Sequence, residues 1–352
     1  MRVVSIITLF IGSLLGSVVL TAKAADTPSA VLKLEISPPV LELLTEPGRS
    51  ISADVKVTNS GSATEALRVD LQKFSAQGED GRPVFEDRAS EDDYFDWVNF
   101  SVKEFTLLPN EQKTVTVTVS PPATAQFGYY LAVTFLRDTA ESTLAESGAT
   151  VTGGAATLIL LNVQTPNAER SLDLLEFSSP RTVYEYLPAT FTVRVKNTGN
   201  IHLAPRGAVF VRDSRGRTLS SVPLNPAQGN VLPGTNRAFL ARWIDGFPLM
   251  ENKQEGDQPI TNAKGEPQQK LRWDLSRVAN FRFGKYTARA VVVYNNGQRD
   301  VPLESFLSFW VIPWKALLVL GAIVLFVLLG LKSILWPLAR LLRRKPLRSR
   351  PE

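Results

Sequence analysis

The chain has 352 residues, 39 Lys and Arg against 34 Asp and Glu, a net charge of +5, one histidine and no cysteine. Without cysteine there are no disulfides, thiolate metal sites, Cys nucleophiles or lipidated N-terminal Cys, and a single His202 leaves no His-rich zinc site. The basicity is local. Setting aside Arg2, Lys23, Lys315, Lys332 and the six bases of 337–352 leaves 29 basic residues in 25–312, and setting aside Glu352 leaves 33 acids, so that stretch carries −4 and nothing points to nucleic acid.

Met1–Ala24 pairs Arg2 with an apolar run from Val3 to Leu20 and ends in Ala22-Lys23-Ala24. A small-x-small ending of this kind predicts a signal peptide cut before Ala25, with an uncleaved anchor as the alternative. Either way 25–312 is expected outside the cytoplasm. Its 288 residues suit two domains, each able to bury a core without disulfides.

Strand-like alternation runs through this region. Ile51–Asn59, Leu67–Leu71, Lys113–Val119, Tyr129–Phe135, Phe191–Val195, Arg237–Trp243 and Tyr286–Tyr294 alternate apolar and polar residues with period two. Asn59-Ser60-Gly61, Pro109-Asn110, Pro121-Pro122, Asn197-Thr198-Gly199, Pro233-Gly234 and Asn295-Asn296-Gly297 punctuate them as turns. No stretch between Ala25 and Ile312 keeps a helical period. The prediction is an all-β fold of two tandem immunoglobulin-like β-sandwiches, followed by one transmembrane helix.

The pattern repeats. VKVTNSG (55–61) matches VRVKNTG (193–199), LLPNEQKTVTVTV (107–119) matches VLPGTNRAFLARW (231–243), and FGYYLAVTF (127–135) matches FGKYTARAV (283–291), in the same order. The domains are therefore set at 25–165 and 166–312, with the joint near Thr165-Pro166-Asn167. The Asn-x-Gly closes a strand carrying inward Val residues and permits positive φ in the turn. In Phe-Gly-x-Tyr, Gly is expected to admit a close backbone approach and Tyr to pack at an inter-sheet corner. From Asn59 to Pro109 is a step of 50 residues where copy two has 36, and from Pro109 to Gly128 a step of 19 where copy two has 51. Copy one thus has extra length around Ser75–Asp96, copy two an insertion at Ile244–Asn280, and both are expected to be loops that carry binding surfaces. Asp138–Gly154 is a further small, polar loop.

No constellation for catalysis stands out, and the chain is expected not to be an enzyme and to need no cofactor. No Gly-rich phosphate loop opens a helix. His202 is expected in a loop or at a strand edge. The acids of 78–87 and 91–96 could attract calcium, but their spacing fits no calcium loop and a solvated loop is favoured. Leu232-Pro233-Gly234-Thr235-Asn236 approaches a sortase signal, yet as the repeated corner block it reads as a turn. Tyr94, Asp96 and Trp97 are the candidate ligand contacts: rings beside a carboxylate suit a sugar. The alternative is that Phe95 and Trp97 plug the end of the core.

From Pro313 to Trp336 the sequence is apolar, with Lys315 near its start and Lys332 near its end; from Ile312 to Leu331 Lys315 is the one charge. Twenty helical residues reach across a hydrocarbon layer of about 30 Å. Trp310, Trp314 and Trp336 are placed to lie at the interfaces, and Arg343, Arg344 and the other bases of 337–352 to stay on the cytoplasmic side. The expectation is a single-pass membrane protein, its lipid partner the bilayer itself, with N-terminal domains outside and a basic cytoplasmic tail.

LKLEISPPVLELLTEPGRSISADVKVTNSGS (32–62), DGRPVFE (80–86), LLPNEQKTVTVTVSPP (107–122) and FGYYLAVTF (127–135) together resemble the first domain of the WxL-interacting proteins of Gram-positive surfaces. That resemblance implies a signal peptide, two immunoglobulin-like domains, a membrane anchor and a basic tail. It also implies a first domain that binds peptidoglycan of the cell wall and a second that recruits secreted or surface proteins. Periplasmic pilus chaperones also pair two such domains and complete a subunit with an exposed strand edge. A membrane-tethered chaperone or assembly factor is therefore the alternative.

Overall fold

The computed structural model describes residues 32–138 and 154–342, except 257, 263 and 266. The expected signal peptide, most of the Asp138–Gly154 loop, Arg343 and Arg344 lie outside the described residues.

The first half runs through β1 (Leu34–Ser37), β2 (Val40–Thr45), β3 (Ile51–Asn59), β4 (Glu65–Gln77), β5 (Arg82–Glu86), β6 (Val98–Phe100), β7 (Glu104–Leu107), β8 (Gln112–Val119), β9 (Phe127–Arg137) and β10 (Gly154–Val163). One sheet has the order β1-β3-β8-β6. The other has the order β2-β10-β9-β4-β5, with β7 also on β4. Alternation explains the layering: Val55 and Val57 of β3 and Val115, Val117 and Val119 of β8 meet Leu131, Val133, Ile159 and Leu161 of β9 and β10 in one core.

The second half runs through β11 (Leu172–Ser178), β12 (Val183–Tyr184), β13 (Ala189–Asn197), β14 (Arg206–Asp213), β15 (Thr218–Leu224), β16 (Asn236–Trp243), β17 (Leu249–Asn252), β18 (Gln254–Glu255), β19 (Gln258–Pro259), β20 (Gln269–Arg272), β21 (Gly284–Asn295) and β22 (Asp300–Val311). Its sheets read β11-β13-β16 and β12-β22-β21-β14-β15, the first-half order over again. In each half the chain leaves the smaller sheet after its first strand and joins the larger one by a parallel pairing, β2 on β10 and β12 on β22. A second core collects around Trp243, Phe191 and Phe309. The expected joint falls between the end of β10 and the start of β11.

The repeated blocks serve as corners, with two corrections. Asn59 is fully buried; its Nδ2 donates to the Ala63 and Leu107 carbonyls, and its Oδ1 accepts from the Gly61 N–H. Asn197 repeats this with the Ile201 and Val231 carbonyls and the Gly199 N–H. Positive φ, which the Asn-x-Gly permits, is taken at Gly297 (97°), but in the two repeated blocks it lies instead in the proline corner, at Asn110 (61°) and Gly234 (72°). Gly199 is needed for space: a Cβ there would stand 2.3 Å from the Glu169 carbonyl oxygen.

The second correction concerns the Phe-Gly-x-Tyr block. In copy two Tyr286 packs in the core, and its hydroxyl accepts from the Phe283 N–H at 3.0 Å. In copy one the matching bond comes from the Gln126 N–H to the hydroxyl of Tyr129, not Tyr130. The frame slips by one residue, and period two turns Tyr130 to the opposite face. There it meets His202 of the second half, with ring centroids 5.8 Å apart.

Helix α1 (Trp314–Leu342) closes the described chain and runs on past the expected end at Trp336. Its segment Trp314–Ser333 is long and apolar enough to cross a membrane.

Candidate functional site

The expected ligand residues fold as a 3-10 turn, Asp93–Trp97. Phe95 enters the first core, and Tyr94 and Trp97 pack on it from outside. Tyr129 stands 5.3 Å from Tyr94 and 4.8 Å from Trp97 between ring centroids. Both Asp96 oxygens accept from Arg88 at 2.8 Å, and these bonds hold its carboxyl below the usual range. The structure thus brings Tyr94, Asp96 and Trp97 together as a cover over one end of the core, with the carboxylate already engaged. The neighbouring acids are also tied. Burial works to raise the Asp92 carboxyl, but the Ala89 N–H and Lys73, 2.9 Å away, bring it below its ordinary value. Among the described residues no group of three or more acids or histidines is placed to hold a metal ion.

An open groove lies elsewhere, between the two halves. It contains two hollows of about 370 Å³ and about 450 Å³. Glu42 lines both, and its carboxylate accepts from Asn230 Nδ2 at 2.7 Å, dividing one hollow from the other. One wall is the edge strand β2, with Val40 in one hollow and Leu44 in the other. The opposite wall comes from the second half: His202, Arg170 and Tyr294 on one side, Ala227–Asn230 and Arg237 on the other.

The β2 edge is open for a definite reason. The Leu158 N–H bonds the Pro39 carbonyl and the Gln164 N–H bonds that of Thr45. In a parallel ladder of this phase Pro39, Leu41, Leu43 and Thr45 face β10, so Val40, Glu42 and Leu44 aim their N–H and C=O groups outward. Among the described residues no strand pairs on that side. Val40 and Leu44 are exposed apolar residues on either side of the exposed, charged Glu42. The long edge of β22 is different. The Trp310 N–H bonds the Thr182 carbonyl, which puts Pro302 and Glu304 at outward positions of the same edge. A proline without an N–H and a charged residue are ordinary protection for an exposed edge; β2 has no proline at its outward positions and one charge, Glu42, between Val40 and Leu44.

The groove is held by a device that sequence reasoning missed. The tip between β4 and β5 crosses to the second half, where the Glu79 carbonyl accepts from the Ala238 N–H at 2.7 Å and its carboxylate takes Arg194 at 2.9 Å. Arg237 lies in a slot between Gly81 of the first half and Gly229 of the second, and a Cβ on either would stand 2.4–2.5 Å from its guanidinium. Its Nη1 donates to the Asn230 carbonyl at 2.5 Å. Beside this joint Phe74, Ala132, Leu160 and Leu232 form a small shared apolar cluster. His202 sits at the groove, as a loop histidine beside the Leu203 bridge, and burial lowers its pKa against the opposing pull of Glu42. The one sequence signal for the joint was the extra length around Ser75–Asp96, the stretch that holds the crossing tip and β5, the counterpart of β15.

Trp310 and Trp314 are exposed near the start of α1, and Trp336 is exposed further along it.

No family model and no curated protein matches the chain. Solved structures similar to it include the class 5 fimbriae chaperone CfaA, at 13% identity and a TM-score of 0.36, over 78% of this chain and 99% of that one. The CupB2 chaperone of Pseudomonas aeruginosa is 10% identical, with a TM-score of 0.32 over 79% and 100%. The CsuC–CsuE chaperone–tip subunit complex from archaic Csu pili of Acinetobacter baumannii gives 11% and 0.31 over 59% and 89%. Similarity this distant says nothing of activity.

Proposed function

We propose that this is a membrane-tethered, extracytoplasmic binding protein without enzymatic activity. In this reading the two halves are immunoglobulin-like domains, and their groove takes an extended segment of a secreted or surface protein, as an assembly factor or scaffold. The observation that carries the proposal is the open edge of β2, with apolar Val40 and Leu44, lining the groove. An incoming strand would take its backbone bonds from Val40, Glu42 and Leu44 and place alternate side chains in the two hollows. The Glu42–Asn230 bond yields to it at small cost, being a single exposed contact. Asn162 lines the first hollow, and its buried side-chain oxygen has no protein partner. The expectation of peptidoglycan binding rests on resemblance and draws no support from Asp96, whose oxygens are engaged by Arg88.

Leu44→Pro tests the proposal. Proline removes an outward N–H and leaves the ladder to β10 intact. The tagged full chain, purified from its own cells, should retain a discrete exported protein. The variant should lose it by about tenfold, which corresponds to about 1.4 kcal/mol, with its thermal midpoint unchanged. Equal retention by both proteins would reject capture at the edge. Sedimentation of both with isolated wall polymer, and no protein partner, would favour the wall-binding reading.

A further inference from the structure

The two ends of the Ile244–Asn280 insertion have their polar and apolar sides reversed from what a water-facing loop requires, unlike its polar, exposed middle. Its inner side is tied by Asp245, whose carboxylate accepts from Asn280 Nδ2 and Arg282 Nη2 at 2.6 Å each and whose carbonyl accepts from Arg282 Nε at 2.9 Å. Asp274 fixes the adjoining 3-10 turn, Leu275–Asn280, by accepting from the Ser276 N–H and hydroxyl. The outer side then displays Trp273 at 63% exposure and Leu275 at 76%, with Ile244, Val278, Phe281 and Phe283 also exposed. Phe247 packs edge-on against Trp273 at 5.7 Å and bridges to Phe281, so the display is ordered. A contiguous apolar surface of this kind marks a contact.

Its position identifies the contact. Gly284 pairs with Val311, the last residue of β22, and α1 begins at Trp314. Two intervening residues span about 10 Å at most. Lys315 holds Glu185, just beyond β12, at 2.8 Å and keeps the helix start against this end of the second half. Phe281 and Phe283 therefore stand at the end from which α1 leaves. Arg215, in the turn after β14, and Lys285 are exposed at the same end, since Asp213 pairs with Tyr286 and Lys285 with Trp310.

We infer that this face of the insertion is a second membrane contact, seated in the interfacial layer of the bilayer that α1 crosses. The inference rests on the reading of α1 as a membrane span. Trp and Phe favour that layer, Leu and Val gain by leaving water, and the basic rim suits anionic headgroups. The contact would set the second half upright on the membrane, with the groove at the far end: Asn295, across the length of β21, lines a hollow.

The chain has no cysteine, so single sites can be labelled cleanly. Leu275→Cys and Val278→Cys, each in the full chain and carrying an environment-sensitive fluorophore, are placed in nanodiscs of phosphatidylcholine and phosphatidylglycerol. Nitroxide on the upper acyl chain is the quencher. Gln298→Cys, in the turn at the other end of β21, is the solvent control, and Leu325→Cys, within α1, reports the span. The inference expects Leu275→Cys and Val278→Cys to lose about half their emission or more, with Gln298→Cys unaffected. If Leu325→Cys is quenched while the two insertion sites behave like Gln298→Cys, the span stands and the second contact is wrong, leaving a protein partner for the patch. If Leu325→Cys is itself unquenched, both fall.

Discussion

Asn59 and Asn197 hold the same corner in each half, and the physics of a buried amide makes them sensitive. Removing either side chain takes away a buried amide that bonds two carbonyls and an N–H of its corner. Asn197→Ala is expected to cost about 2–4 kcal/mol, read as a lower urea midpoint with no change in slope. Asn197→Asp should be nearly as costly, because it keeps the acceptor for Gly199 but loses the donors. His202 predicts a pH dependence. Burial lowers its pKa, Glu42 works to raise it, and Arg170 to lower it. The native chain therefore binds a proton less readily than the unfolded chain. The associated stability is complete above the unfolded value of about 6.5 and is lost as pH falls through the lower folded value. Thermal midpoints should drop between neutral and mildly acidic pH, and His202→Gln should flatten that part of the profile.

Among the elements, the crossing tip between β4 and β5 and the aromatic turn at Asp93–Trp97 come from the same extra length in copy one but act differently. The tip is a joint. Gly81→Val would push a side chain into Arg237, where even a Cβ stands 2.4 Å from the guanidinium. Hydrogen exchange at the Ala238 amide, which the Glu79 carbonyl protects, should then rise while the amides of β3 and β13 keep their rates. The aromatic turn is a cover. Trp97→Ala should cost about 3 kcal/mol by removing the ring that meets Tyr94 and Tyr129.

Much of this scale was legible in the sequence. Ile51–Asn59 matches β3 in full, because Val55 and Val57 alternate with polar residues, and each of the other expected runs lies inside a strand. The order of the repeated blocks reappears as the order of strands. What failed depended on contacts across the chain. Tyr129 and Tyr130 are both tyrosines, so the composition of the Phe-Gly-x-Tyr block cannot say which faces the core; the register of β9 decides. Glu79-Asp80-Gly81 has the look of a solvated acidic loop, and its docking on Arg194 and Ala238 is visible only once distant segments meet. The open edge of β2 likewise follows from the phase of its ladder with β10, which no local pattern states.

At the scale of the molecule, two similar β-rich halves enclose a groove, and one half carries a long apolar helix at its opposite end. In the proposed arrangement α1 and the insertion hold the second half on the bilayer and present the β2 edge away from it. The central claim is that this edge receives an extended polypeptide. Site-specific photo-crosslinking of the full chain in its native membrane tests it most directly, with the reactive group at position 44, and at position 306 on the protected β22 edge as comparison. The account predicts a discrete protein adduct from position 44 and none from position 306. A silent position 44, with adducts to wall polymer from positions 94 or 97, would contradict it.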